Sequence, residues 1–335
     1  MMDNISNVIV ANEQKLNLLA PIKNVRDSHK DFIKSPMNYI GGKYKLLNQI
    51  VPLLPNNINT FVDLFAGGCN VGINVDANKV IFNDNLTYLI DMYNQFKKQD
   101  ILSIQEYIKN QISKFDLSRE NEEGYKDFRV HYNNYKNPLD LFVLVAYSFN
   151  HQIRFNNNQK FNNPFGKNRS SYNATMEKNL VKFVSSVHSK DATFLSTCFN
   201  EFNFDSLSGN DVVYCDPPYL ITTGTYNDGK RGFKGWSEKE ELELLNILDS
   251  LDSNNIRFAL SNVIEHKSKS NDILKKWLCQ NKQYKAYCLE KNYSNSSYHT
   301  LDRSKNSSIE ILVTNYAPPV AEKESQLFLS GKISK

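Results

Sequence analysis

The chain has 335 residues, 40% of them hydrophobic and 23% charged. That is ordinary for a globular protein and excludes a disordered or fibrous chain. The length suits one large domain with an insertion, or two domains, and a formal charge of +4 permits a polyanionic partner without requiring one.

The longest apolar run, residues 141–149, is far too short to cross a bilayer, and Met1-Met2-Asp3-Asn4 does not open a signal peptide. A soluble cytoplasmic protein without membrane contact is therefore expected. Cys69, Cys198, Cys215, Cys279 and Cys288 are odd in number and lack metal-ligand spacing. They read as reduced core fillers, and no metal site is expected.

In chain order, residues 1–34 are polar and weakly patterned, which predicts a loose N-terminal arm. After Gly41-Gly42, Leu46, Leu47, Ile50, Leu53 and Leu54 recur at helical spacing up to Pro55. Residues 60–65 read as a strand broken by Ala66-Gly67-Gly68. A second strand at 79–83 ends at Asp84, ahead of a helix carrying Leu86, Leu89, Ile90 and Tyr93. Strand, glycine turn, strand, acid and helix in that order begin an α/β sheet.

From 96 to 190 the composition shifts to helical segments rich in Asn, Lys and aromatics. Ile101, Ile104, Tyr107 and Ile108 mark one helix and 139–149 another, while 151–173 is polar, basic and aromatic without a period. Strands resume at 193–199 and 212–215. Ser237 with Glu240 forms a capping box for a helix through Leu248, and 256–260 and 309–314 read as buried strands. The expected division is an arm at 1–34, an α/β domain at 35–95 and 191–317, an insertion at 96–190 and a tail at 318–335.

Asp216-Pro217-Pro218-Tyr219 carries the most chemistry. It follows the apolar run Val212-Val213-Tyr214-Cys215, so a buried strand feeds a rigid turn. Two prolines fix φ and remove two backbone donors. The Asp216 carboxylate and the Pro217 carbonyl are thereby placed to accept from one exocyclic amine, and Tyr219 offers a face on which a purine can stack. Replacing Asp216 by Ala should remove the acceptor and leave no buried unpaired charge.

The run from Asp63 to Gly72, including Phe65 and Gly67, lets the backbone approach a nucleoside at the carboxyl edge of a sheet. Its spacing is not G-x-G-x-x-G, which argues against a dinucleotide pyrophosphate site. Asp84 is placed to bind ribose hydroxyls or to cap the next helix. Asn38-Tyr39-Ile40-Gly41-Gly42-Lys43 suits a pocket wall with an aromatic and a cation, or a plain turn.

These motifs, in this order, with Asn83-Asp84-Asn85 and the 309–316 stretch Ile-Glu-Ile-Leu-Val-Thr-Asn-Tyr, make the chain resemble the Dam-like DNA adenine-N6 methyltransferases over roughly residues 35–316. The resemblance implies a Rossmann-like S-adenosylmethionine-dependent methyltransferase sheet with a helical DNA-recognition insertion at 96–190. It implies that Tyr39, Lys43, Asp63, Phe65, Gly67, Asp84 and Asp216 line the S-adenosylmethionine site, and that Asp216, Pro217 and Tyr219 act on a flipped-out adenine of double-stranded DNA. It further implies a DNA-reading hairpin using Phe149, Asn150, Gln152, Arg154, Asn163, Pro164, Lys167 and Arg169. Arg154 matches an arginine that contacts a guanine in the major groove. Gln152 departs from the apolar residue of bacterial Dam members, so the target sequence is not carried over.

The resemblance is compatible with the modification arm of a restriction-modification system beside a cognate endonuclease, and a monomer is expected. The segment 222–236, with Lys230, Arg231, Phe233 and Lys234, reads as a lid or a surface loop. Related glutamine-N5 and cytosine-N4 enzymes carry Asn or Ser in place of Asp216, which points to adenine. A binding-only module would need damaged cofactor motifs, and a nicotinamide oxidoreductase another glycine spacing.

Overall fold

The computed structural model describes residues 18–19, 31–222, 235–289 and 308–319. Among these, nine strands form one sheet: β1 (Leu18–Leu19), β2 (Ile58–Asp63), β3 (Ala77–Asn83), β4 (Asp191–Leu195), β5 (Val212–Cys215), β6 (Arg257–His266), β7 (Lys269–Ser270), β8 (Lys285–Leu289) and β9 (Ser308–Thr314). Their order is β1-β8-β9-β6-β5-β2-β3-β4, with β7 against β6. Strands β4, β3, β2, β5 and β6 are parallel, whereas β9 runs antiparallel to β6 and β8. This is the α/β sheet the sequence predicts, with a reversed strand near one edge.

Both faces of the sheet are covered, which is why its strands read as continuous apolar runs. Side chains alternate between two cores as the pleat requires. Phe61, Val80, Phe82, Val212, Tyr214 and Leu312 face one; Val62, Val213, Cys215, Ile311 and Val313 face the other. On the first side lie α1 (Leu47–Ile50), α2 (Thr87–Lys98), α3 (Ile101–Lys114), α4 (Glu122–Tyr135), α5 (Pro138–Tyr147) and α6 (Ala174–Ser189); α7 (Glu238–Ser253) and α8 (Asp272–Gln280) cover the second. Helix α5 is buried on every side from Leu139 to Tyr147, as a helix apolar all round must be.

The α7 start carries the capping box read from sequence: Ser237 and Glu240 satisfy each other's backbone donors. Elsewhere local chemistry moved the bounds. The helix expected over 46–54 breaks into a 3₁₀ turn at Lys43–Leu46, the short α1 and a second 3₁₀ turn at Val51–Leu53. Pro52 lacks the donor that would continue it. The strand expected over 193–199 is Asp191–Leu195, because Asn83 takes Thr197 out of the ladder. Its Oδ1 accepts from Thr197 N and Oγ1, and its Nδ2 donates to Thr197 O and Leu64 O.

The insertion expected at 96–190 packs onto the sheet through one continuous core that holds α3–α6, and α2 runs across residue 96. Two expectations need correction. The arm at 1–34 is docked where it is described: Leu18–Leu19 pairs in parallel with β8, and Ile33 exchanges hydrogen bonds with the Asn74 side chain. Of the five free cysteines, Cys69 and Cys215 are buried but Cys198, Cys279 and Cys288 are only half-buried. The rest of the arm, residues 223–234 of the expected lid and 320–335 of the tail lie outside the described residues.

Candidate active site

The chain leaves β2 for β3 and β4 on one side, then returns to β5 on the other. The sheet therefore has a topological switch point between β2 and β5, where ligands of open α/β sheets bind at the carboxyl ends of strands. A cavity of about 360 Å³ lies there, lined by the turn after β2, by Asp84 after β3, by 197–200 after β4 and by 216–219 after β5.

The glycine turn is shaped by an aromatic ring. Gly67 has φ +46°, and a Cβ there would stand 2.7 Å from the Tyr39 ring, so any other residue would be strained and would displace that ring. Its carbonyl accepts from the buried Tyr93 hydroxyl at 2.9 Å, and its N–H donates to Asp84 Oδ2 at 2.9 Å. The other Asp84 oxygen accepts from Leu86 N at 2.9 Å. Asp84 thus ties the glycine turn to the residue just ahead of α2 and lines the cavity, while the α2 N-cap, Leu86, has no side-chain cap bond. Its pKa is raised, chiefly by burial.

Asp63, at the end of β2, accepts from Gly72 N at 3.0 Å. Burial pushes its carboxyl up to about 7, with Asp216 and Asp84 adding like charge. Phe65 packs against Phe199 and Trp236, with ring centroids 5.3–5.6 Å apart within the trio. The Trp236 indole donates to Glu241 at 2.7 Å. Phe199, Trp236 and Asn83 are among the site residues that sequence reasoning left without a role. The capping box of Ser237 and Glu240, beside Glu241, signalled only the helix.

At the far wall Lys43, 4% exposed, donates to Asp216 at 2.6 Å and to Gly41 O at 3.0 Å, and its ammonium stands 5.0 Å from the Tyr219 ring centre. Burial raises the Asp216 pKa and Lys43 opposes it. The Tyr219 hydroxyl reaches Asp216 Oδ1 at 3.0 Å, and Pro217 is buried in the cavity wall. All seven residues expected at the cofactor site, and all three expected to be catalytic, line this one cavity. Asp216→Ala would leave the Lys43 ammonium buried beside only the more distant Glu310, at 3.6 Å, so the benign outcome expected from sequence does not hold.

The residues expected to meet DNA stand elsewhere. None of 149–169 lines the cavity among the described residues. They form a hairpin after α5, bridged at Ser148–Phe165 and Phe155–Phe161 and closed where Asn156 N donates to Lys160 O and Lys160 N donates to the Asn156 side-chain oxygen. Phe149 is 41% exposed, with the Arg169 guanidinium 5.0 Å from its ring centre, and Arg169 also donates to Asn150 Oδ1 at 3.3 Å. Arg154, Pro164 and Lys167 are exposed and Gln152 half-buried. Asn163 does not fit the expectation. It is 3% exposed, and its amide donates to the carbonyls of Phe149 and Gln152 at 2.9 Å. It ties the hairpin base together and presents nothing to a base edge.

Residues 39–295 match the family described as D12 class N6 adenine-specific DNA methyltransferase. The chain is 53% identical over 297 residues to modification methylase StsI of Streptococcus sanguinis, covering 88% of this chain and 45% of that protein. It is 52% identical over 285 residues to type II methyltransferase M.FokI of Planomicrobium okeanokoites, covering 85% and 43%. Against a DNA adenine methylase of Salmonella typhi it is 30% identical over 233 residues, covering 68% and 79%. The chain thus spans less than half the length of the two most similar of these relatives.

Proposed function

Because the chain belongs to the D12 class of N6 adenine-specific DNA methyltransferases, we propose that it methylates N6 of a flipped-out adenine in a short double-stranded DNA site, with S-adenosylmethionine as methyl donor. The observation that carries this reading is the placement of Asp216-Pro217-Pro218-Tyr219 at the end of β5, on the same cavity as Gly67 and Asp84.

The cavity suits the donor. Asp63, Asp84 and Asp216 face it with Lys43 as the buried cation, an anionic surplus that favours a sulfonium and disfavours a pyrophosphate. Asp84 would take the ribose hydroxyls, Gly67 the close backbone approach, and Tyr39 and Phe65 the flat groups. When bound, S-adenosylmethionine supplies an electrophilic methyl carbon.

Adenine N6 is a weak nucleophile because its lone pair is delocalised into the ring. The Asp216 carboxylate and the Pro217 carbonyl would hold its two hydrogens and turn the lone pair out of the ring plane. Lys43 keeps the carboxylate oriented and charged. Stacking on Tyr219 would return on the order of 1–3 kcal/mol of the cost of extruding the base. Acceleration would come from positioning and electrostatics, with no cysteine nucleophile.

The hairpin at 149–169, within the insertion at 96–190, is the DNA-reading element in this account. Arg154 reads a base pair, Phe149 and Asn150 lie near the extruded base, and Gln152, Pro164, Lys167 and Arg169 hold the duplex. The modification methylases among the relatives make a restriction-modification role beside a cognate endonuclease the natural setting, with a cytoplasmic monomer as the working form. Incubating the protein with labelled S-adenosylmethionine and duplex DNA tests the reading: label should enter adenine with the unaltered chain and not with Asp216→Asn.

A further inference from the structure

Glu310 has no part in the chemistry above, yet it lies against it. It stands early in β9, 2% exposed, with Val263 and Leu289 as cross-strand neighbours. The Tyr219 hydroxyl is 3.0 Å from Glu310 Oε1 and 3.0 Å from Asp216 Oδ1. A phenol carries one proton, so it can donate to only one of these carboxylates at a time. The three oxygens form a row with two gaps and, when both carboxylates are ionised, one proton to fill them. The row has room for one more.

Methyl transfer releases one proton. As the bond from N6 to the methyl carbon forms, the bond from that carbon to the donor's sulfur breaks and its electron pair stays on sulfur. The amine nitrogen is left with a surplus proton. We propose that this proton passes from N6 to Asp216 and, through the Tyr219 hydroxyl, to Glu310, which holds it until product leaves.

The bookkeeping closes. Asp216 O–H donates its proton to the Tyr219 oxygen as the proton already on Tyr219 moves to Glu310 Oε1, so the phenol ends neutral. Asp216 returns to a carboxylate beside Lys43. The titratable groups facing Glu310 include Lys43, Asp216 and the hydroxyls of Tyr219 and Tyr214; its cross-strand neighbours Val263 and Leu289 carry no charge. Glu310 acts through Tyr219 and is a positioning residue. The inference rests on reading the site as an adenine methyltransferase.

The test is single-turnover methyl transfer to duplex DNA at saturating S-adenosylmethionine, across pH, for the unaltered chain, Glu310→Gln, Tyr219→Phe and the double variant. Each single variant should bind donor and DNA normally and slow transfer roughly 10²-fold, the low end for a lost proton-transfer group. The double variant should be no slower, because both changes cut one path. The acid limb of the pH profile should move to lower pH in Glu310→Gln, where Asp216 loses a neighbouring like charge. Infrared difference spectra of the product complex should show a protonated-carboxyl band that changes position in Glu310→Gln, where the proton can go no further than Asp216. An unslowed Glu310→Gln with an unmoved acid limb would overturn the relay, as would a double variant slowed by the product of the two single effects. Should Glu310→Gln fail to fold, Tyr219→Phe decides alone, through its rate and its shifted band. An unaltered chain that binds donor and DNA yet transfers no methyl group would defeat the underlying reading, and the relay with it.

Discussion

Lys43 and Asp216 stand 173 positions apart in sequence, yet the ammonium of one lies 2.6 Å from the carboxylate of the other. The contact joins the turn after residue 40 to the end of β5 and puts a cation beside the acid that the proposed mechanism turns toward the substrate. Asp216→Ala breaks this pair and should lower stability by on the order of 3 kcal/mol, the lower end for orphaning one member of a buried pair. Asp216→Asn keeps the volume and an acceptor oxygen and should lose clearly less. Urea melts of both variants measure the difference, and equal midpoints would refute the pairing argument.

Gly67→Ala is predicted to spoil donor binding before it spoils the fold. The residue needs φ +46°, and the new methyl would stand 2.7 Å from the Tyr39 ring. Left-handed backbone costs a non-glycine residue about 1–2 kcal/mol, and the displaced ring takes a cavity wall with it. Calorimetric titration with S-adenosylmethionine should show affinity reduced by at least about tenfold, given 1.4 kcal/mol per decade. Unchanged affinity would mean that the turn is not the nucleoside cradle.

Three positions on the hairpin should behave differently from one another. Arg154→Ala should relax discrimination at one base pair by about 1–3 kcal/mol, whereas Lys167→Ala should weaken binding to all sequences alike. Asn163→Ala frees the carbonyls of Phe149 and Gln152 and should cost about 1–3 kcal/mol of stability. Competition binding across single-base variants of the target, alongside thermal melts, separates the three. Uniform loss of affinity in Arg154→Ala would remove it from base readout.

Asp63 gives a pH dependence with a definite sign. Its carboxyl is pushed up to about 7 from an ordinary 3.8 by burial. The folded state therefore holds this proton more tightly than the unfolded chain. Its stabilising effect is complete below the ordinary value and fades as pH rises through about 7. Asp63→Asn keeps an acceptor for Gly72 N–H and removes the titration. Melting temperatures of the two proteins should diverge in the variant's favour between about pH 4 and about pH 7, the interval between the two pKa values. A constant gap would show that Asp63 titrates normally.

The motifs that line the cavity were legible because each is local. A strand, its glycine turn and the acid after the next strand leave their mark in apolar runs and residue types, whereas the order of strands in the sheet was not read from them. What stayed hidden is side-chain direction. Asn163 in an Asn-rich loop reads the same whether it meets solvent or ties two carbonyls. Glu310 in an apolar strand gives no hint that it reaches Tyr219. Helix α4 was masked by Gly124 and a surplus of charge, since only Gly124, Tyr125, Phe128 and Tyr132 of its fourteen residues are buried. The pairing of Lys43 with Asp216 depends on the folded sheet, and nothing in either neighbourhood announces it.

The central claim is that Asp216 and the Pro217 carbonyl hold an extruded adenine's amine toward a methyl donor. Base-resolution modification sequencing of DNA from cells expressing this chain, beside cells expressing Asp216→Asn, tests it most directly. N6-methyladenine at one short recurring sequence with the unaltered chain, and its absence with the variant, is the predicted result. Unmodified adenine in both, or equal marking in both, would contradict the account.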